Sequence, residues 1–314
     1  MVGKATRRRH FTAGCGVAAI AAAILAPSGL HAQAAQGNFT VDSGAANANR
    51  TATIDDIFIN SAEAVLTWSP FDMATGTNAI DFLPFGNTIN FRSAGDFVVL
   101  NRIIANDPNR PIGFNGDVNS LVNGITGGTV MIYSPSGLVI GATGTFDVGN
   151  LVLTANDIDT TGGLFGPDGE IRFRGAANST ANILVRAGAQ ITAPMEGSYV
   201  AMVAPRITQQ GDVRVNGSTG YVAAESADIT INSGLFDINI LTGTTVTTNA
   251  VNHTGSTGGP SSNGGADHHA IYFVAMPKFR PWPRRGHRPV RRSAGQRHHQ
   301  RRAFLLAASG VRVE

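Results

Sequence analysis

Carboxylates are the first residues whose spacing could do chemistry. Asp55-Asp56, and Asp157 with Asp159, are the pairs that could serve a glycosidase, in which two carboxyl groups at a set separation act as acid and as base or nucleophile. On a strand, adjacent Asp55 and Asp56 point to opposite sides. Asp157 and Asp159 could share a side, but the Thr160-Thr161-Gly162-Gly163 that follows reads as a turn, which makes surface turn carboxylates the plainer reading. Lyase chemistry would need a basic residue beside calcium-binding or charge-neutralising groups, and no Gly-Gly-x-Gly-x-Asp calcium repeat occurs. His268-His269 could hold a metal, yet two adjacent histidines in a Gly/Ser-rich stretch give poor fixed geometry. The sequence therefore predicts no catalytic residue, no metal site and no cofactor, and a protein that is not an enzyme.

The elements around these residues are short strands. Residues 35–277 hold 31 of the 38 glycines, and β-branched runs alternate with Gly, Asn, Asp and Ser turns, without a sustained apolar period of 3.6. Ile183 and Val185 would share one side of a strand, as would Val213 and Val215, and Ile229 and Ile231. There is also an internal repeat. Gly188 and Gly211 each open a strand that is followed by Tyr199-Val200-Ala201 and Tyr221-Val222-Ala223, and Asn156-Asp157-Ile158 and Ala227-Asp228-Ile229 each close a similar strand. A period in the low twenties built from strands and turns predicts a solenoid, with roughly 10 rungs and an axis of about 50 Å. An antiparallel β-sandwich is the alternative. Asn252–His269 reads as a long loop or linker.

Charge divides the chain. Residues 1–34 carry Lys4, Arg7, Arg8 and Arg9 and no acid; residues 35–277 carry nine Arg and no Lys against 20 acidic residues, a net −11; residues 278–314 carry ten Arg and Lys278 against Glu314, a net +10. The basic pI of 9.4 thus describes the two ends and no basic face of the body, and a nucleic-acid partner is not expected. The first end reads as a secretory signal, residues 1–34. It has a basic start, an apolar run from Ala13 to Ala26 too short to span a bilayer, then Pro27, Gly29 and the small-x-small triplet Ala32-Gln33-Ala34. Cys15, the only cysteine, would leave with it, which excludes disulfides and thiolate metal sites from the exported chain. The second end, 278–314, changes composition abruptly after Pro277-Lys278. A frameshift in a GC-rich gene, a disordered tail touching anionic lipid or polysaccharide, and a nucleic-acid arm compete to explain it.

From residue 65 to 158 the chain resembles the N-terminal secretion domain of two-partner secretion exoproteins, the filamentous haemagglutinin or haemagglutination-activity family. The segments that carry the resemblance are Leu66–Met73, Ile89–Phe91, Val99–Ile103, Val130–Val139 and Phe146–Thr154, in order; the usual Asn-Pro-Asn-Gly turn is Ser134-Pro135-Ser136-Gly137 here. The resemblance implies a right-handed parallel β-helix with N-terminal capping strands, with a secretion domain over 35–165 and further rungs over 166–277. It implies export across the inner membrane and a partner outer-membrane β-barrel transporter with periplasmic recognition domains. The final location would be outside the cell or on its surface, and the domain is expected to act as a monomer with an adhesin-like role. Trp68, Phe71 and Phe91 are expected as core or cap residues. Asn101, Arg102, Ser134, Pro135, Ser136 and Gly137 are the candidates for transporter recognition. A free-standing adhesin that binds surface carbohydrate by its flank, and a lyase-like β-helix enzyme, are the competing functional readings.

Overall fold

Strands of two to eight residues dominate because the apolar runs are short and each ends at a turn residue. The computed structural model describes residues 33–71, 79–232, 235–261 and 269–278, all within the unit Ala32–Glu314; the signal-like segment 1–32 and the basic tail from 279 lie outside them. The chain begins with β1 (Gly37–Ser43) and β2 (Ala46–Arg50). A first coil follows as β3 (Ile54–Ile59), β4 (Glu63–Pro70) and β5 (Ile80–Leu83), and a second as β6 (Thr88–Ser93), β7 (Val98–Ile103) and β8 (Ile112–Phe114). The third is β9 (Asp117–Val122), its short hairpin partner β10 (Ile125–Thr126), β11 (Thr129–Tyr133) and β12 (Leu138–Ile140). The fourth runs through β13 (Thr145–Asp147) and β14 (Asn150–Thr154), leaves the coil as β15 (Asp157–Ile158) and β16 (Glu170–Arg174), and returns as β17 (Asn182–Val185). The fifth is β18 (Gln190–Ala204) and β19 (Arg206–Gln209). The sixth is β20 (Asp212–Asn232), an excursion through β21 (Leu235–Gly243), and β22 (Val251–His253). β23 (Ser256–Gly258) and β24 (Ile271–Ala275) open a seventh.

Like strands of successive coils pair in parallel and make three faces. β3, β6, β9, β13 and the starts of β18 and β20 lead to β23 on the first. β4, β7, β11, β14 and the middles of β18 and β20 lead to β24 on the second. β5, β8, β12, β17, β19 and β22 form the third. The protein is an all-β parallel β-helix, and the sandwich alternative is excluded by this pairing. In-register columns of Ile89, Val118, Phe146, Ile191 and Val213, and of Ile112, Leu138, Ile183 and Ile207, fill the interior. Each such side chain contributes roughly 1.5–3 kcal/mol when fully buried.

The second face is apolar on both sides, as its runs Val98-Val99-Leu100, Val130-Met131-Ile132 and Leu151-Val152-Leu153 require. Its outer side carries Leu100, Met131, Val152 and Ala201. These are covered by an antiparallel sheet of β15, β16, the end of β20 and β21, through Ile158, Ile171, Phe173, Ala227 and Ile229. The opposite end of the chain supplies another antiparallel layer: β1 lies against β4 and β2 against β3, so the outer edges of β3 and β4 are paired.

Four expectations change. Among the described residues the stack has seven coils, not ten, and spans about 30 Å at the ordinary interstrand spacing, because the cap and the two excursions absorb chain length. Asn156-Asp157-Ile158 and Ala227-Asp228-Ile229 do not close equivalent rungs; both belong to the antiparallel cover. The tyrosine repeat is out of register: Tyr199 sits opposite Ser218, and Tyr221 opposite Met202, because the ladder breaks between Ala193 and Ser198. Finally, the segment read as a loop at 252–269 contains the end of β22 and all of β23.

Candidate recognition corner

Asn101 and Arg102 are consecutive on β7, so strand geometry sends them to opposite sides. Asn101 points into the coil and is 2% exposed. Its Oδ1 accepts the Trp68 indole N–H at 3.0 Å, and its Nδ2 donates to the Met131 carbonyl at 3.3 Å. A buried indole needs an acceptor, and Asn101 supplies it from the next coil. In the folded domain its side chain offers no surface to a partner. Trp68 and Phe91 lie in the core, while Phe71 is half-buried just beyond β4, its amide donating to the Gln36 carbonyl at 2.8 Å.

Arg102 points outward and holds the first excursion. It meets Asp157 Oδ1 at 3.1 Å, the Ile158 carbonyl at 2.8 Å and, more distantly, Thr160 Oγ1. Beside it on the neighbouring strand is Tyr133, whose hydroxyl is pushed up to about 12 by burial and by Asp157, with Arg102 partly opposing. Ser134 follows directly, so the corner between the second and third faces brings Arg102 and the Ser134–Gly137 turn together across two coils. The turn closes with the Gly137 amide donating to the Ser134 carbonyl at 3.0 Å. Ser134 is fully buried and shares a 3.0 Å hydroxyl–hydroxyl hydrogen bond with Ser136. Pro135 is exposed and Ser136 half-exposed. Gly137 has a φ of +95°, and a Cβ there would lie 2.5 Å from the Asn182 carbonyl oxygen of the next coil, so both conformation and space demand glycine.

Pro135 and Ser136 rim an open groove of about 490 Å³ on the third face, floored by Val139 and Leu184 and bordered by Asn182 and Arg186. The Asn182 Oδ1 there is buried without a hydrogen-bond partner. The acidic pairs weighed for catalysis are separated. Asp55 faces inward and Asp56 outward, paired with Arg92 at 2.6 Å. Asp157 is held by Arg102, while Asp159 accepts the Thr161 amide at 2.9 Å, which holds its carboxyl below the usual range, with nearby arginines adding to the effect. His268 lies outside the described residues, and among those described no three metal-ligating groups converge.

Sequence reasoning missed a ladder on the first face, where Asn119 donates to Asn90 and Asn90 to Asp56, each at 2.9 Å. Its signal is the recurrence of Asp or Asn one coil apart, at separations of 34 and 29 residues.

No protein-family model matches the chain, and no curated protein matches it. Among the solved structures that are similar is the crystal structure of the HMW1 secretion domain from Haemophilus influenzae, at 16% identity and a TM-score of 0.48, with 75% of this chain covered. The match takes in 56% of that chain, little more than half its length.

Proposed function

We propose that the chain is the exported secretion domain of a two-partner exoprotein, recognised in transit by the periplasmic domains of an outer-membrane β-barrel transporter. The observation that carries this reading is the placement of the five resembling segments on consecutive coils. Leu66–Pro70 is in β4, Ile89–Phe91 in β6, Val99–Ile103 in β7, Val130–Val139 spans β11, the turn and β12, and Phe146–Thr154 spans β13 and β14. Two of them are bonded to each other through Trp68 and Asn101, and a third presents Pro135 and Ser136 beside Arg102. The exposed part of this corner is the surface offered to the transporter. The composition changes abruptly at Lys278, and we read residues 278–314 as the product of a shifted frame in a longer adhesin-like protein.

Co-expression with a transporter encoded beside the gene tests the first claim: secretion is expected to depend on the transporter and to be lost on deletion of residues 65–158. Secretion that survives the deletion sinks it. Translation of the next frame after codon 278 tests the second, and is expected to restore a Gly-, Val- and Asn-rich β-repeat. The Asp56–Asn90–Asn119 ladder favours a second reading, a carbohydrate-binding flank. It predicts polysaccharide binding by the free protein that Asn90→Leu abolishes.

A further inference from the structure

The N-terminal cap is plugged by a carboxylate at the head of an apolar column. Register places Asp55 opposite Ile89, above Val118 and Phe146, and it is fully buried. Its two oxygens are used unequally. Oδ2 receives Arg50 Nη2 at 2.7 Å, Arg50 Nε at 3.0 Å and the Ala35 amide at 3.0 Å. Among the described residues Oδ1 receives only the Ala34 amide, at 3.4 Å. Arg50 also donates to the Ala35 carbonyl at 2.6 Å and the Gly37 carbonyl at 2.7 Å, and its guanidinium lies 5.3 Å from the Trp68 ring centre. A buried carboxylate with one oxygen crowded and the other on a single long contact has room for one more charged donor.

The nitrogen already bonded to the other oxygen, Oδ2, is that of Ala35, the residue that follows the small-x-small triplet Ala32-Gln33-Ala34. Hydrolysis after Ala34 breaks the Ala34–Ala35 C–N bond. Water gives its hydroxyl to the Ala34 carbonyl carbon and its proton to the Ala35 nitrogen, which becomes a primary amine that is protonated near neutral pH. We propose that Asp55 is the seat of the α-ammonium of Ala35, so that signal removal completes the N-terminal cap. This rests on the export reading above. One ammonium hydrogen keeps the bond to Oδ2, a second takes Oδ1 once Ala34 has gone, and the third faces the space that Ala34 leaves. Arg50, gripping the Ala35 carbonyl, is a positioning residue that keeps the nitrogen aimed at Asp55. The Asn87 bond to the Ala34 carbonyl, 2.9 Å, is lost in exchange.

The sequence makes the test clean. Beyond the signal, Lys278 is the sole lysine, so the exported chain has two amines. Intact mass of exported protein reports where it begins; the expected first residue is Ala35. That protein and its α-acetylated form, in which the amine is again a neutral amide, are then melted at pH 6 and pH 10.5. Acetylation is expected to lower the midpoint at pH 6 by about 3 °C and to have little effect at pH 10.5, where the free amine has lost its proton. In folded protein the α-amine should resist acylation at pH 7, and Asp55→Asn should expose it. Equal or higher midpoints for the acetylated form at pH 6, or a mature chain beginning elsewhere, overturn the proposal and leave export intact. Exported protein that keeps residues 1–34 would overturn the signal reading itself. Should Asp55→Asn fail to fold, the two wild-type forms still decide.

Discussion

At the first coil, β1 and β2 lie antiparallel across β4 and β3, and a buried Asp55–Arg50 pair fixes the segment that leads into them. At the far end, β22, β23 and β24 each pair on one side only among the described residues. There the interior is closed by aromatic rings: Phe273 stacks on Tyr221 at 5.1 Å, and His253 meets both edge-on at 5.5 and 5.3 Å. One end is held by a charge pair with directional bonds, the other chiefly by rings, Tyr221 buried and Phe273 half-buried, around a titratable imidazole. The first kind of closure is intolerant, because removing one partner strands a buried charge. The second loosens by degrees, because water already reaches part of it.

Arg50→Met should therefore be the most damaging single change at either end. In the chain that still carries residues 1–34 it leaves the Asp55 carboxylate buried without its cation, a loss of roughly 3–5 kcal/mol in denaturant unfolding. A change under about 1 kcal/mol would show that the Ala34 and Ala35 amides hold Asp55 without help. Phe273→Ala tests the other end. A fully buried Phe costs about 3–5 kcal/mol on truncation to Ala; with Phe273 half-buried about 2 kcal/mol is expected. Hydrogen-exchange protection should fall in β20, β22 and β24 while β3 and β4 keep theirs. Protection lost equally in β3 and β4 would show that the ends do not respond independently.

Lys278→Met probes the last described residue. Its ammonium meets Glu225 at 2.9 Å, and Glu225 is 2% exposed whereas the Lys side chain is 35% exposed. Solvent at the lysine tempers the loss, and about 1 kcal/mol is expected from chemical unfolding. An unchanged midpoint would mean that the Lys278 amide, which donates to the Thr244 carbonyl at 2.6 Å, is the whole of the anchor.

The two ends were also unequally legible in the sequence. Alternation correctly set Asp55 and Asp56 on opposite sides and put Ile183 and Val185 together inside. It could not say that Asp55 faces inward, because the partner that makes this tolerable, Arg50, arrives through an antiparallel strand whose apolar content is low: β2 reads Ala-Asn-Ala-Asn-Arg. The tyrosine repeat misled for a related reason. Pro194–Gly197 interrupt β18 and shift the register, so identical Tyr-Val-Ala triplets occupy different places, one half-buried under Phe236 and the other inside the coil. At the candidate corner, the family resemblance pointed to Arg102 and to the Ser134–Gly137 turn, which lie on adjacent coils. It could not reveal that Asn101 is spent on the Trp68 indole, since that bond joins residues 33 apart.

The smallest effect expected at the open end is a titration. His253 Nε2 shares a 2.7 Å hydrogen bond with Thr257 Oγ1, which also bonds the Tyr221 hydroxyl at 2.6 Å; its Nδ1 is buried without a partner. Burial pushes the imidazole below its ordinary value, because the charged form is the one that desolvation penalises. The unfolded chain then binds the proton more readily than the folded one. The contribution of neutral His253 is fully present above the ordinary histidine value of about 6.5 and is lost as pH falls through the lower folded value. Unfolding midpoints measured from pH 8 to pH 5 should decline below 6.5, and His253→Gln should flatten that part of the profile. The decline should be accompanied by faster exchange in β22 and β24, and not in β1 to β4, where the described residues include no histidine. A decline that persists unchanged in His253→Gln would show that His253 is not the source of the acid sensitivity.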